Sequence, residues 1–301
     1  MDRCQIEREN TRYLPGVSFP GNLWVQPDFA RAVESNDLVV VVPSSGFRQT
    51  LEQLQTYHHA ERRVAWATKG FELETGLLPH QVFESVLGTA IPCAVLSGPT
   101  FATEVGLGLP TALTVASSFH SFAQDLAKSL STGHFRAYTS SDLIGVEVGG
   151  AVKNVIAIAT GLADGMGFGA NTRAALITRG LAEMTRLGVA LGAAPETFMG
   201  LAALGDLVLS CTDNQSRNRR FGLLIATGHS SAEAASTIGQ VVEGIRASSA
   251  VLRVAETQGV DMPICAQVYA VLHEHKSLKE AVASLTEREL KTETGHLAAG
   301  T

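Results

Sequence analysis

Lys153 stands in Val148-Gly149-Gly150-Ala151-Val152-Lys153-Asn154-Val155-Ile156-Ala157-Ile158-Ala159, where only it and Asn154 are strongly polar. An ammonium carried into apolar surroundings is costly to keep charged, so its pKa falls toward neutrality. A lysine in that condition can serve as a general base. The other reading of the same run is a helix-edge lysine whose head reaches water.

Four further polar positions could act with it. Lys69 follows the apolar run Arg63-Val64-Ala65-Trp66-Ala67-Thr68, at the carboxyl end of a predicted strand, where open α/β sheets bind ligands. A surface lysine at a strand–loop junction is the plainer alternative. Ser97-Gly98-Pro99-Thr100-Phe101-Ala102 follows another predicted strand. Gly98 permits close backbone approach, and Pro99 then Thr100 suit a loop turning into a helix. Such a helix start offers free N–H groups, although a plain β–α turn has the same composition. Asp206 follows Leu201-Ala202-Ala203-Leu204-Gly205, a setting in which a carboxylate needs a partner; a lysine would serve. Ser216-Arg217-Asn218 combines a hydroxyl, a guanidinium fork and an amide near a helix start, a combination suited to phosphate. Arg219 and Arg220 read as a solvated basic loop.

These residues must be held by elements, and the chain divides in texture. Residues 38–43, 63–68, 93–97, 111–116 and 135–138 are short β-rich runs, several of them continuously apolar as in strands buried on both faces. Helical patterns over 46–58, 79–87 and 119–130 lie between them. That alternation predicts a parallel, doubly wound sheet. From about Ile144 the chain becomes Ala-, Leu- and Gly-rich, and 172–191, 232–238, 243–258 and 266–274 read as helices. The expected division is an α/β domain over 1–143, a helical domain over 144–290 and a frayed tail over 291–301.

Composition excludes several classes. The 301 residues are 45% hydrophobic and 17% charged, with a formal net charge of −6. That balance argues against nucleic acid and membrane surfaces as partners. Cys4, Cys93, Cys211 and Cys265 are far apart and form no C-x-x-C pair, which points to reduced thiols rather than a zinc site or disulfide frame. No uninterrupted apolar run reaches transmembrane length, and the start does not resemble a signal peptide. A cytoplasmic protein is expected.

A doubly wound nucleotide binder normally opens on strand, G-x-G-x-x-G, helix. Here residues 1–12 are charged and carry no such loop. Gly165-Met166-Gly167-Phe168-Gly169 and Gly106-Leu107-Gly108 are glycine-rich but follow helical runs, so neither qualifies.

Taken together, Trp66-Ala-Thr-Lys-Gly70, Ser97-Gly-Pro-Thr-Phe101, Gly149-Gly-Ala-Val-Lys-Asn154, Asn171-Thr-Arg-Ala-Ala-Leu-Ile-Thr-Arg-Gly-Leu-Ala-Glu-Met184, Gly205-Asp-Leu207 and Ser216-Arg-Asn-Arg-Arg-Phe-Gly222 closely resemble bacterial NAD(P)-dependent glycerol-3-phosphate dehydrogenases. The resemblance runs from about Asp2 to Val282. It implies a Rossmann-like N-terminal domain, a helical C-terminal domain like that of 6-phosphogluconate dehydrogenase, and NAD or NADP as cofactor. The implied reaction interconverts sn-glycerol 3-phosphate and dihydroxyacetone phosphate, feeding glycerophospholipid synthesis. By matching position, Lys153 resembles the proton acceptor, with Lys69 and Asp206 beside it as catalytic groups. Gly98, Thr100, Asn154, Ser216, Arg217 and Asn218 would complete the substrate pocket together with those three. Lys69, Ala102, Arg217, Val241 and Glu243 would touch the dinucleotide. A homodimer is a further expectation.

Members of that family begin about forty residues earlier, with the first strand, the glycine loop and the second strand. This chain starts partway through the helix that follows, near Asp2-Arg3-Cys4. A misplaced start codon, a trimmed chain or a natural truncation would each give that start. The expectation is that these 301 residues alone bind neither NADH nor NADPH measurably and that their first half is poorly soluble or partly unfolded. The competing reading is therefore a catalytically inactive remnant that binds phosphate esters, or a partner subunit. A related 3-hydroxyacid or 6-phosphogluconate dehydrogenase is a third reading; the Ser216–Gly222 phosphate clamp argues against a carboxylate substrate.

Overall fold

The computed structural model describes residues 2–57, 59 and 61–288. The tail expected from Lys291 lies outside them. The first half contains α1 (Asp2–Glu7), α2 (Phe29–Ala32), β1 (Asp37–Val40), α3 (Ser44–Gln55), β2 (Arg63–Trp66), α4 (Pro79–Leu87), β3 (Cys93–Ser97), α5 (Ala102–Gly106), β4 (Thr111–Ala116), α6 (His120–Leu130) and β5 (Phe135–Ser140). The strands form one sheet in the order β1-β2-β3-β4-β5. The pairs β1–β2, β2–β3 and β4–β5 are parallel, as in a doubly wound sheet, while β3 and β4 run antiparallel. The five-residue helix α5 and its flanking turns reverse the chain between β3 and β4 without a full crossover. β1 lies at one edge, and Val39 and Val41 on it and just beyond it are exposed.

The apolar runs form strands because both faces of the sheet are covered. β3 is buried along its whole length. On one face Trp66 packs between Phe47 of α3 and Phe83 of α4, with ring centroids 5.6 and 5.3 Å away. On the other, Leu96 and Val115 meet Phe122 and Leu126 of α6. Aromatic groups of this size contribute much of a core's burial.

The second half is helical: α7 (Leu143–Gly165), α8 (Ala170–Ala190), a 3₁₀ turn (Pro195–Met199), a π turn (Leu201–Gly205), α9 (Asp206–Thr212), α10 (Arg217–Ala226), α11 (Ser231–Ile238), α12 (Glu243–Thr257), α13 (Pro263–His273) and α14 (Leu278–Thr286). α7 is the axis around which the others pack. Its start is fixed by Asp142, whose carboxylate accepts the Gly145 N–H at 2.8 Å and also the Ala194 N–H and the Thr197 hydroxyl. By length and composition α7 could cross a membrane, because a helix tolerates the isolated polar residues that interrupt the apolar runs. In the fold, 89% of its most apolar window is buried against the rest of the chain. α7 is a core helix, and the polar groups inside it lie in the protein interior.

Candidate functional site

Three elements deliver the charged centre. β2 ends at Trp66 and places Lys69 three residues beyond the sheet. α7 carries Lys153 inside the helical core, 9% exposed. The π turn 201–205 ends on Asp206, the first residue of α9 and 2% exposed. π turns are rare and often mark functional positions. Here the turn brings the carboxylate between the two lysines. Lys69 Nζ donates to Asp206 Oδ2 at 2.5 Å, and Lys153 Nζ donates to Asp206 Oδ1 at 2.6 Å. Lys153 Nζ also donates to Ser210 Oγ at 3.1 Å. The expectation that Asp206 needs a cation is met twice over.

The electrostatics favour proton exchange at Lys153. Burial lowers its pKa, the Asp206 carboxylate opposes that, and the nearby Lys69 lowers it again; the result lies below the ordinary lysine value. Asp206 is the complement. Burial alone would raise its carboxyl, but the two ammonium groups outweigh burial and hold it below the usual range.

A second group of side chains continues from Lys153. The next residue, Asn154, accepts from Asn218 Nδ2 at 2.8 Å and donates to Glu243 Oε2 at 3.4 Å. Asn218 Oδ1 accepts the Gly244 N–H at 2.9 Å. The starts of α10 and α12 are thereby tied to the middle of α7. Arg217 donates to the Val241 carbonyl at 2.8 Å and pairs with no carboxylate among the described residues, so much of its fork stays available. Val241 is exposed and Glu243 half-buried at the same edge. Ser216 is occupied: its hydroxyl caps α10 by accepting the Arg219 N–H at 3.3 Å.

The loop after β3 closes the other side. Thr100 Oγ1 donates to the Gly98 carbonyl at 3.3 Å, and Ala102 opens α5 on the surface. Glu104 of α5 accepts from Gln215 at 2.9 Å, which brings this loop against the start of α10. Gly98 is required by the sheet itself, since a Cβ there would lie 2.8 Å from Leu113 Cα of β4. Gly150 faces the charged centre: a Cβ there would press on the Lys69 stem at 3.3 Å.

One reading from the sequence changes, and two residues join the site region that it did not name. Arg219 does not belong to a solvated loop. It is 7% exposed and donates to Asp164 Oδ2 at 2.5 Å and to Asn214. Helix α10 turns Arg219 inward toward the carboxyl end of α7, whereas Arg220 faces solvent. Ser210 joins Lys153 and Asp206 because it lies four residues after Asp206 on one helix face, the spacing that makes side chains neighbours. Glu147, another lone charge in the apolar stretch of α7, carried the same signal as Lys153.

A separate cavity of about 600 Å³ lies between α7, α8, α13 and α14, lined by Leu162, Leu176, Val268 and Leu285 among others. None of the residues assembled around Lys153 borders it.

The dinucleotide that the resemblance implies can be tested against this geometry. Lys69 stands three residues beyond the carboxyl end of β2, and at the end of β3 the buried Ser97 hydroxyl has no partner among the described residues. That donor set suits the nicotinamide end. Among the described residues no glycine-rich strand–helix turn is present to cradle the pyrophosphate.

Comparison with known proteins agrees across both halves. Residues 1–123 match the family described as NAD-dependent glycerol-3-phosphate dehydrogenase N-terminus, and residues 142–283 match the corresponding C-terminus. The glycerol-3-phosphate dehydrogenase [NAD(P)+] of Pseudoalteromonas translucida is 56% identical over 289 residues, covering 95% of this chain and 86% of the relative. That of Serratia proteamaculans is 55% identical over 295 residues, covering 97% and 87%. The crystal structure of glycerol-3-phosphate dehydrogenase from Coxiella burnetii superposes with a TM-score of 0.92 at 46% identity, covering 95% of this chain and 88% of that one. With both parts of the family matched in order and more than half of all positions shared with such relatives, the chain belongs to the NAD-dependent glycerol-3-phosphate dehydrogenase family.

Proposed function

We propose that this chain interconverts sn-glycerol 3-phosphate and dihydroxyacetone phosphate with NAD or NADP, supplying glycerol 3-phosphate for glycerophospholipid synthesis. The observation that carries the site assignment is the single buried carboxylate of Asp206 holding both Lys69 and Lys153.

In the oxidising direction neutral Lys153 accepts the proton of the C2 hydroxyl; in the reducing direction its ammonium returns that proton to the carbonyl oxygen. A nicotinamide held on the Lys69 side of the site would supply the acceptor or donor for the hydride at C2. Lys69 keeps positive charge where the alkoxide develops, in a position fixed before substrate arrives, which is the kind of stabilisation that often dominates catalysis. Asp206 holds the two ammonium heads on one side and limits their freedom. Ser210 gives the Lys153 head a second fixed partner. Arg217 and Asn218 bind the phosphate, with Asn154 steadying Asn218, while Gly98 and Thr100 border the substrate. Ser216 acts through its cap on α10, which orients Arg217 and Asn218. Ala102, Val241 and Glu243 line the cofactor side together with Lys69 and Arg217.

We further assign residues 1–143 to dinucleotide binding and 144–290 to substrate and catalysis, and place the protein in the cytoplasm as a homodimer; sedimentation would read the assembly. The activity is tested by following NADH and NADPH absorbance with dihydroxyacetone phosphate. Turnover with either would support this reading and would overturn the expectation that these 301 residues bind no dinucleotide. A folded, purified protein that turns over neither would leave the phosphate-ester-binding remnant as the better reading.

A further inference from the structure

Glu147 lies on α7 six residues before Lys153 and is 3% exposed. It takes no part in the proton transfer, yet it is densely bonded. Its Oε1 accepts the Trp66 indole N–H at 3.0 Å and the His80 backbone N–H at 3.0 Å. Its Oε2 lies 2.6 Å from His80 Nδ1. Trp66 is fully buried and ends β2, three residues before Lys69; His80 is the second residue of α4, eleven residues after Lys69. One carboxylate therefore grips both ends of the segment that carries Lys69, from the same helix that carries Lys153.

The grip is physically apt. The His80 N–H is one of the donors left free at the start of α4, and a carboxylate is favoured there by the helix dipole. α7 is continuous between Glu147 and Lys153, so the position of the first fixes that of the second. The path from Lys69 to Asp206 and Lys153 otherwise depends on one flexible side chain.

We infer that Glu147 is a positioning residue for the reaction: by bonding Trp66 and His80 it sets the distance between Lys69 and Lys153 across the join between the sheet and the helical half. This rests on the assignment of Lys153 as the base and Lys69 as its charged companion. If the grip is lost, Lys69 withdraws from Asp206. Lys153, whose charged neighbours are Asp206, Lys69 and Glu243, then loses a repelling cation and gains more of the carboxylate. Both changes favour its protonated form.

The test is steady-state kinetics of Glu147→Leu and Glu147→Gln with thermal melting of each. For Glu147→Leu, kcat should fall about tenfold or more. KM for dihydroxyacetone phosphate should move less than about threefold, because Arg217 and Asn218 on α10 lie outside the grip. The acid limb of glycerol 3-phosphate oxidation should shift upward by about half a pH unit or more. Glu147→Gln keeps acceptors for both N–H groups and should restore kcat to within about threefold of the parent. A folded leucine variant with parental kcat and limb overturns the inference. So does a loss of activity that only tracks the folded fraction while the limb stays in place, and so does a glutamine variant as impaired as the leucine one. If the leucine variant does not fold, Trp66→Phe, which removes one donor and keeps a buried ring, decides in its place: an upward shift of the limb supports the inference, and a parental limb overturns it. Lys153→Met serves as the control. Retention of normal turnover there would overturn the base assignment, whatever Glu147 does.

Discussion

Two aspartates in the helical half, both with side chains largely covered, each sit between two cations. Asp206 holds Lys69 and Lys153. Asp164, near the carboxyl end of α7, holds Arg173 and Arg219 at 2.8 and 2.5 Å. The charge pattern is the same, and the chemistry is not. An ammonium can give up its proton when burial lowers its pKa, so the first cluster can exchange protons with a substrate. A guanidinium stays protonated throughout the accessible range and grips a carboxylate through a rigid fork. The second cluster therefore acts as a brace between α7, α8 and α10. The type of cation separates a site from a strut where geometry alone would not.

The sharpest way to break that comparison is to exchange the cations. Lys153→Met should lower kcat about 10²–10⁴-fold, the usual worth of general acid–base help. Lys153→Arg keeps the charge but cannot be deprotonated, so it should be about as inactive in glycerol 3-phosphate oxidation. Near-normal kcat in either variant would remove Lys153 from its role.

Arg217 tests the same principle from the other side, since it is an arginine that no carboxylate holds among the described residues. Arg217→Ala should raise KM for dihydroxyacetone phosphate about tenfold to a hundredfold, from the loss of roughly 1.5–3 kcal/mol of charge-assisted bonding. An unchanged KM would move the phosphate site elsewhere.

Asp164→Asn should instead act on stability. Leaving two arginines without their buried partner costs about 3–5 kcal/mol, at the lower end because Arg173 is 30% exposed. The melting temperature should fall while kcat per folded molecule stays within about twofold. A selective loss of kcat at an unchanged melting temperature would place Asp164 in the site after all.

The pH profile gives the smallest and most specific effect. Oxidation needs neutral Lys153, so activity should rise with pH along a limb that lies below the ordinary lysine range, in keeping with the downward shift. The same depression makes the charged lysine less stable in the fold than in the unfolded chain, so its penalty on stability is relieved as pH rises through that window. Asp206 acts in the same direction over a lower window: its stabilisation is present above the unfolded carboxylate pKa and is lost as pH falls through its lowered folded value. A limb unmoved in Asp206→Asn would show that the carboxylate does not govern the lysine.

Much of this was legible before any fold was known, and for identifiable reasons. The apolar runs at 63–68 and 93–97 form strands covered on both sides, whereas the run at 38–43 forms the edge strand β1, where Val39 and Val41 stay exposed. Lys153 and Asp206 announced themselves as charges in apolar company, which physical chemistry does not tolerate without a partner or a purpose. Arg219 could not be read in that way. Its neighbours in sequence are polar, and only the packing of α10 on α7 shows that it turns inward. The reversal between β3 and β4 is equally silent, because an apolar period records burial and not strand direction.

The sequence by itself determined that Lys153 and Asp206 were chemically anomalous, where the five strands and many of the helices lie, and the family they resemble. Those properties are local, or they are carried by the order of motifs. What only the tertiary structure decided is who meets whom. Lys69 and Asp206 are 137 positions apart, Trp66 and Glu147 are 81 apart, and no periodicity encodes contacts at such range. They follow from how the helical half closes on the sheet, where burying apolar surface on both sides of α7 brings the Asp206 carboxylate to Lys69 and Lys153.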